Sequence, residues 1–170
     1  SEFYSIAAAD YDNNKFVDLY SVRYVKATYG VSIPLPYHDA NNGPPNHLLS
    51  NLGGWKFDDV TDKVGLNQNN SRFSLAAAWE DFDEDGDQDL YVANDFGKAN
   101  FYINRDGKFT DEAEDRGALN QAAGMGVTWA DYDVDGHVDL YVSNMYSPAG
   151  MRVMSQPEFR KQDSAENRQQ

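Results

Sequence analysis

The sequence predicts an all-β fold of about three four-stranded antiparallel units, each the size of one β-propeller blade. The main observation is an acidic nine-residue loop that occurs three times, at residues 10–18, 81–89 and 131–139. Each copy leads directly into a segment that begins Leu-Tyr, and such aromatic and β-branched segments predict strands. The repetition therefore indicates an architecture in which every unit carries the same loop and strand.

The spacing of the loops gives the length of one unit. The second and third loops start 50 residues apart, whereas the first and second start 71 residues apart. A Pro-, Gly- and Asn-rich insertion at about residues 29–45 accounts for the difference. A period near 50 residues is typical of a supersecondary unit of four short strands.

Within one period the sequence predicts four strands that are separated by Gly-containing turns. A further sign of repetition is the match between Asn46–Asn51 of the first unit and Asn100–Asn104 of the second. The expected strands of one period are Leu90–Asn94, Phe101–Asn104, Lys108–Glu112 and Gly126–Asp131.

Trp79 and Trp129 both precede the first aspartate of a loop by two residues. Aromatic residues that recur at one position of a repeat are typical of the core between neighbouring sheets. We therefore expect both tryptophans at blade–blade contacts. A role in stacking on a ligand is the alternative.

The loops have the composition of a site for a hard cation. Ca²⁺ takes roughly six to eight oxygen ligands, and carboxylates at loop positions 1, 3, 5 and 9 can converge when the backbone coils. Gly at position 6 permits the coil, and position 7 would bind through its backbone oxygen, so its side chain can vary. The predicted ligands are Asp81, Asp83, Asp85, Asp87 and Asp89 in the second loop and Asp131, Asp133, Asp135, His137 and Asp139 in the third, with Asp87 and His137 acting through backbone oxygens.

The first loop departs from this pattern. Lys15 stands where the other loops have Gly, and both its charge and its Cβ oppose metal binding. We therefore expect two Ca²⁺ ions, and a third only if this loop binds as well. The weaker candidate ligands are Asp10, Asp12, Asn14, Asp18 and the backbone oxygen of Phe16.

The loops are not EF-hands. An EF-hand has a bidentate Glu at position 12 and a helix on each side, whereas position 12 here is Val92 or Val142 inside a predicted strand. The remaining alternative is a set of acidic turns on a solvated surface. The repetition of the full pattern makes metal binding the better interpretation.

Composition excludes several classes of partner. The chain has 28 acidic and 14 basic residues, a formal charge of −14, and no basic cluster that could contact phosphates, so we expect no nucleic acid partner. No apolar run is long enough to predict a membrane span. Cysteine is absent, so the sequence does not indicate a redox compartment. High Ca²⁺ outside the cytosol would fill even weak sites, which favours a secreted, periplasmic or cell-surface location.

Residues 78–92 and 127–142 resemble FG-GAP/VCBS repeats, the calcium-binding blades of integrin-α-type propellers and of many bacterial secreted proteins. The shared core is Asp-x-Asp-x-Asp-Gly-x-x-Asp-Leu-Tyr-Val. Residues 141–152 are similar to repeats of proteins that carry an ASPIC/UnbV domain, a group that includes cartilage acidic protein. The resemblance covers about residues 6–152, so we assign residues 1–152 to a repeat region and residues 153–170 to a polar tail, helical or disordered.

This resemblance implies a β-propeller in which each metal loop joins adjacent strands of one blade. It also implies that the loop residues named above bind Ca²⁺, and that the protein acts in adhesion, ligand binding or scaffolding. Some related propellers are polysaccharide lyases, so the resemblance leaves enzymatic activity open.

The sequence offers little catalytic chemistry. No serine lies in a G-x-S-x-G context, and the three histidines lack the spacing of metal ligands. We therefore expect no catalytic residues, and a calcium-stabilised segment that presents loops to a protein or glycan partner. One alternative is a calcium-dependent carbohydrate-active enzyme, a polysaccharide lyase or hydrolase whose cleft the insertion would line. Another is a repeat scaffold in a larger assembly that binds only the metal.

Three blades are fewer than the roughly four to eight that close a propeller. The faces at the two ends of such a segment would lack a neighbouring blade. We expect the remaining blades of a longer chain, or a self-assembly partner, to cover them.

Overall fold

The computed structural model describes residues 3–24, 34–36 and 39–145. These residues form strands, turns and loops without a helix, which confirms the predicted all-β class. None of them therefore forms a helix long and apolar enough to cross a membrane. The strands are β1 (Ser5–Ala9), β2 (Asp18–Val22), β3 (His47–Asn51), β4 (Phe57–Asp59), β5 (Phe73–Glu80), β6 (Asp89–Phe96), β7 (Asn100–Arg105), β8 (Lys108–Asp111), β9 (Gly124–Ala130) and β10 (Asp139–Asn144).

The strands form three antiparallel sheets, as expected for propeller blades. The first sheet has the order β1-β2-β3-β4 and the second the order β5-β6-β7-β8. The third pairs β9 with β10, so within the described residues it has two strands rather than the predicted four. The tail at residues 153–170 and residues 29–33, 37 and 38 of the insertion lie outside the described part of the chain.

Each acidic loop connects the first two strands of a sheet. The residues that flank the three loops pair directly across the hairpin, as Ala9 with Asp18, Glu80 with Asp89, and Ala130 with Asp139. This placement moves one expected sheet boundary. The strand predicted at Gly126–Asp131 forms as the first strand of the third sheet, not as part of the second. The second sheet begins instead with β5, because each acidic loop pairs the strand before it with the strand after it.

Two apolar cores lie between successive sheets. Along β6, Leu90 and Val92 face the first sheet while Tyr91 faces the third, as the alternation of a strand requires. The core between the first and second sheets includes Tyr20, Val22, Leu48, Leu90, Val92, Tyr102 and Phe109, and that between the second and third combines Tyr91, Phe101 and Ile103 with Val127, Trp129, Leu140 and Val142.

Both tryptophans lie in these cores, as predicted. The ring of Trp79 is 6.1 Å from that of Tyr20 in the first sheet. The ring of Trp129 is 5.7 Å from that of Phe101 in the second. Each tryptophan therefore belongs to the first strand of one sheet and packs against the preceding sheet, which fixes the arrangement of the loops at the ends of those strands.

Candidate metal centres

The three loops share one internal hydrogen-bond network. The two carboxylate oxygens of the aspartate at position 1 accept the amides of positions 5 and 6, at 2.7 to 3.1 Å. The side-chain oxygen of position 5 accepts the amide of position 7, at 2.8 or 2.9 Å. The aspartate at position 9 accepts the amide of position 2, at 3.1 or 3.2 Å. Side chains of the loop thus hold its own backbone in a coil.

The coil requires a left-handed backbone at position 6. Gly86 and Gly136 each have φ of +94° there, and Lys15 has φ of +74°. This conformation is unfavourable for a residue with a Cβ atom. The first loop therefore adopts the same turn as the others, with Lys15 in a conformation that glycine would adopt more easily.

Three carboxylates in each loop have oxygen atoms within 4.8 Å of one another. Positions 1 and 3 belong to every group, and the third member is position 9 in the first and third loops and position 5 in the second. Such an all-oxygen donor set fits a hard divalent cation. Asp89 and Asp135 are not in these groups, and the ligand roles of all these residues remain predictions. The groups are Asp10, Asp12 and Asp18; Asp81, Asp83 and Asp85; and Asp131, Asp133 and Asp139.

In the first and second loops the aspartate at position 9 is the most enclosed acid. Asp18 and Asp89 are fully buried. Burial raises the pKa of Asp89 to about 6, and the charge of Asp83 adds to the effect, although two backbone hydrogen bonds oppose it. Burial raises the pKa of Asp18 in the same direction. A cation bound in the loop would favour the charged form of these carboxylates.

Part of the chain is similar to a known repeat family. Residues 81–142 match the family model of the FG-GAP-like repeat. The match covers the second and third loops and the strands between them, so it supports FG-GAP-like repeats in this part of the chain. A comparison with curated proteins found no match. The narrower similarity of residues 141–152 to ASPIC/UnbV proteins stays a prediction.

Two asparagines support the first and second loops, each from the third strand of its sheet. The amides of Asn51 and Asn104 donate to Oδ1 of Asp18 and Asp89, at 2.7 and 2.8 Å. Their side-chain amides donate to the backbone oxygens at position 8, at 3.0 and 3.2 Å. Sequence analysis found the two asparagines as matching landmarks but gave them no role. Their occurrence at the same place in two units was the sequence signal that could have indicated this role.

Successive loops also contact each other. The side-chain amide of Asn13 donates to Oδ1 of Asp87, at 2.9 Å. Oε1 of Glu84 lies 2.8 Å from Nδ1 of His137. Sequence reasoning missed both contacts, because it does not show which loops are neighbours in space.

An arginine reaches the second loop from the connection between β8 and β9. Nη2 of Arg116 donates to Oδ2 of Asp83, at 3.2 Å, and its guanidinium lies 5.5 Å from the centre of the Phe82 ring. Nε of Arg116 donates to Glu112, at 2.9 Å. The cluster of carboxylates in the second loop therefore has a neighbouring positive charge that the sequence of the loop does not reveal.

Proposed function

We propose that this chain is a calcium-stabilised, non-catalytic segment of a β-propeller that presents its loops to a protein or glycan partner outside the cytosol. The observation that carries the proposal is the recurrence of one hydrogen-bond network in three loops, each with three carboxylates close together. Isolated acidic turns have no reason to share both the network and the position between the first two strands of a sheet.

The role of the ion in this proposal is structural. Ca²⁺ neutralises carboxylates that repel each other, and its binding free energy adds to the free energy of folding. The predicted ligands of the second and third loops lie at the ends of β5, β6, β9 and β10. An ion in each loop would therefore fix the hairpin and the register of the two strands that flank it.

A partner is supported by apolar side chains that are exposed beside the first loop. Trp55 is 90% exposed, and Leu52 and Val17 are also exposed. The side chain of Phe16 lies against Gly53, so the first loop contacts the turn between β3 and β4 that carries Leu52 and Trp55. Exposed apolar patches often mark interaction sites.

The test is a calorimetric Ca²⁺ titration of protein stripped with a chelator, with thermal melts in parallel and Mg²⁺ as the control. The proposal expects two or three bound ions and a melting temperature that rises selectively with Ca²⁺. The variant Asp83→Ala/Asp133→Ala serves as the matched control and should lose most of both effects. The absence of binding by the wild type, with an unchanged melt, would overturn the proposal.

A second candidate function is a calcium-dependent carbohydrate-active enzyme. The observation that favours it is a polar cavity of about 380 Å³ lined by Asp39 of the insertion together with Arg72, Asp111 and Glu114. Carboxylates in a cleft could serve glycoside hydrolysis. A screen of polysaccharides for new reducing ends or unsaturated products tests it. Product that persists in the variant Glu114→Gln would exclude Glu114 as the acid, and no product from any polysaccharide would leave the non-catalytic function.

A further inference from the structure

The contacts between successive loops use the same two positions. Asn13 and Glu84 occupy position 4 of the first and second loops, while Asp87 and His137 occupy position 7 of the second and third. The side-chain amide of Asn13 donates to Oδ1 of Asp87 at 2.9 Å and lies 3.3 Å from the backbone oxygen of Gly86. Glu84 and His137 approach to 2.8 Å. The residue types differ but the positions do not, so the contact is a feature of the repeat.

Position 7 combines this contact with a place in the metal loop. Its backbone oxygen is a predicted ligand, and its amide donates to the side chain of position 5, at 2.9 Å in both the second and third loops. The other carboxylate oxygen of Asp87 accepts the amide of Asp106, at 2.7 Å. The main chain of position 7 thus belongs to the loop, while its side chain is held by the preceding blade and, for Asp87, by the turn between β7 and β8.

We infer that Asn13 and Glu84 are positioning residues for the metal site of the following blade. The inference rests on the proposed calcium function. A position-7 residue that is held from outside loses less freedom when its backbone oxygen turns to the ion, and a preorganised site binds more tightly. The effect is reciprocal, so an ion in one loop should also strengthen the contact with its neighbour.

The expected effects differ between the two bridges. Loss of one hydrogen bond of average strength corresponds to roughly a two- to tenfold change in affinity. Both partners of the Glu84–His137 pair are exposed, with side-chain exposures of 64% and 74%. Exposed pairs of this kind contribute less, so we expect about a twofold effect there.

The amides of Gly86 and Gly136 allow each loop to be followed separately. They donate to Oδ2 of Asp81 and Asp131, at 3.0 and 2.9 Å, so their ¹⁵N–¹H resonances report on their own loops. Ca²⁺ would be titrated into the wild type, Asn13→Ala and Val134→Ala. Val134 occupies position 4 of the third loop and is 85% exposed, so it is the matched control without a following loop in the described part of the chain.

For Asn13→Ala the inference expects roughly two- to tenfold weaker binding at Gly86 and unchanged binding at Gly136. Val134→Ala should leave binding at Gly86 unchanged, and Glu84→Ala should weaken binding at Gly136. The double variant Asn13→Glu/Asp87→His installs the second bridge at the first position and should recover part of the binding at Gly86. Recovery is partial because the exposed Glu–His pair contributes less and Asp87→His removes the carboxylate that accepts the amide of Asp106. Loss of a fold-stabilising contact alone would weaken both loops and would not be rescued in this way.

Two outcomes overturn the inference. The first is an Asn13→Ala titration at Gly86 within the error of Val134→Ala, and the second is an equal loss at Gly86 and Gly136. In both cases the calcium function stands, because the wild-type resonances still respond to Ca²⁺. If neither glycine resonance of the wild type responds to Ca²⁺, the proposed function fails and the inference fails with it.

Discussion

Replacement of Gly86 by Ala tests whether position 6 of the loop demands glycine. The backbone of Gly86 has φ of +94°, yet a Cβ atom built there would meet nothing within 4 Å. The penalty for Gly86→Ala is therefore conformational rather than steric. The left-handed backbone costs about 1–2 kcal/mol, while alanine also restricts the unfolded chain by about 0.4–1 kcal/mol, which leaves a net loss near 1 kcal/mol. For a chain of this length, that loss lowers the melting temperature by about 2–4 °C.

The reciprocal change, Lys15→Gly, should stabilise the protein. Lys15 holds the same position with φ of +74°, so glycine relieves a similar strain. The variant Lys15→Ala is the matched control, because it removes the charge but keeps the Cβ atom. In chelator, Lys15→Gly should be more stable than Lys15→Ala. Both should bind Ca²⁺ more tightly in the first loop than the wild type does, since each removes a cation beside three carboxylates.

The assay is thermal unfolding of the wild type and the three variants, followed by circular dichroism in chelator and then in excess Ca²⁺. In chelator the expected order of melting temperature is Lys15→Gly, wild type, Gly86→Ala. The reasoning is refuted if Gly86→Ala melts with the wild type and Lys15→Gly melts with Lys15→Ala. That pair of results would show that the loop tolerates a Cβ at position 6.

Three further predictions follow from the structure. Asp133→Ala should reduce the Ca²⁺-dependent rise in melting temperature more than Asp12→Ala, and equal losses would contradict the ranking of the loops. Burial opposes the charge of Asp39, but the Arg72 guanidinium outweighs it and lowers the pKa of Asp39. The stability that the Asp39–Arg72 ion pair contributes is therefore present above about pH 4 and is lost as the pH falls through the lowered pKa of the folded state. Arg72→Met should therefore cost about 1–3 kcal/mol at neutral pH and less near pH 2, measured by urea unfolding; a cost that does not depend on pH would contradict this. Trp129→Ala should cost up to about 3 kcal/mol by the same method, because the side chain fills the core between the second and third sheets, and a loss below about 0.5 kcal/mol would contradict that role.

Local patterns account for the part of the fold that the sequence predicted. The strand expected at Leu90–Asn94 forms within Asp89–Phe96, and that expected at Phe101–Asn104 forms within Asn100–Arg105. Loop, strand and turn signals are all short-range, so they can be found without knowledge of the chain's path. The assignment of strands to sheets depends on pairing, and the sequence placed the strand at residues 124–130 in a period together with strands to which it does not pair.

Contacts between distant residues account for the part of the candidate site that the sequence missed. Asn13 and Asp87 are separated by 74 residues, and Arg116 and Asp83 by 33. Each of these side chains is ordinary for an exposed polar loop, and only the packing of successive sheets makes them neighbours. Lys15 is a different case, because sequence reasoning found its conflict with the turn but could not show that the loop would form nonetheless.

The contacts between loops also change the meaning of variation at position 7. Sequence analysis attributed the difference between Asp87 and His137 to the use of the backbone oxygen, which leaves the side chain unconstrained by the metal. In the structure this side chain contacts position 4 of the preceding loop, with Asp87 opposite Asn13 and His137 opposite Glu84.

Two equivalent positions have no neighbouring loop within the described residues. Position 4 of the third loop is Val134 and position 7 of the first is Phe16, with exposures of 85% and 47%. Both are apolar, whereas the four residues of the observed bridges are polar. A blade that packs against the third loop, from this chain or another, should therefore offer an apolar residue at position 7. A polar residue there would leave Val134 opposite an unmatched group and would limit the matching of positions 4 and 7 to the two bridges observed.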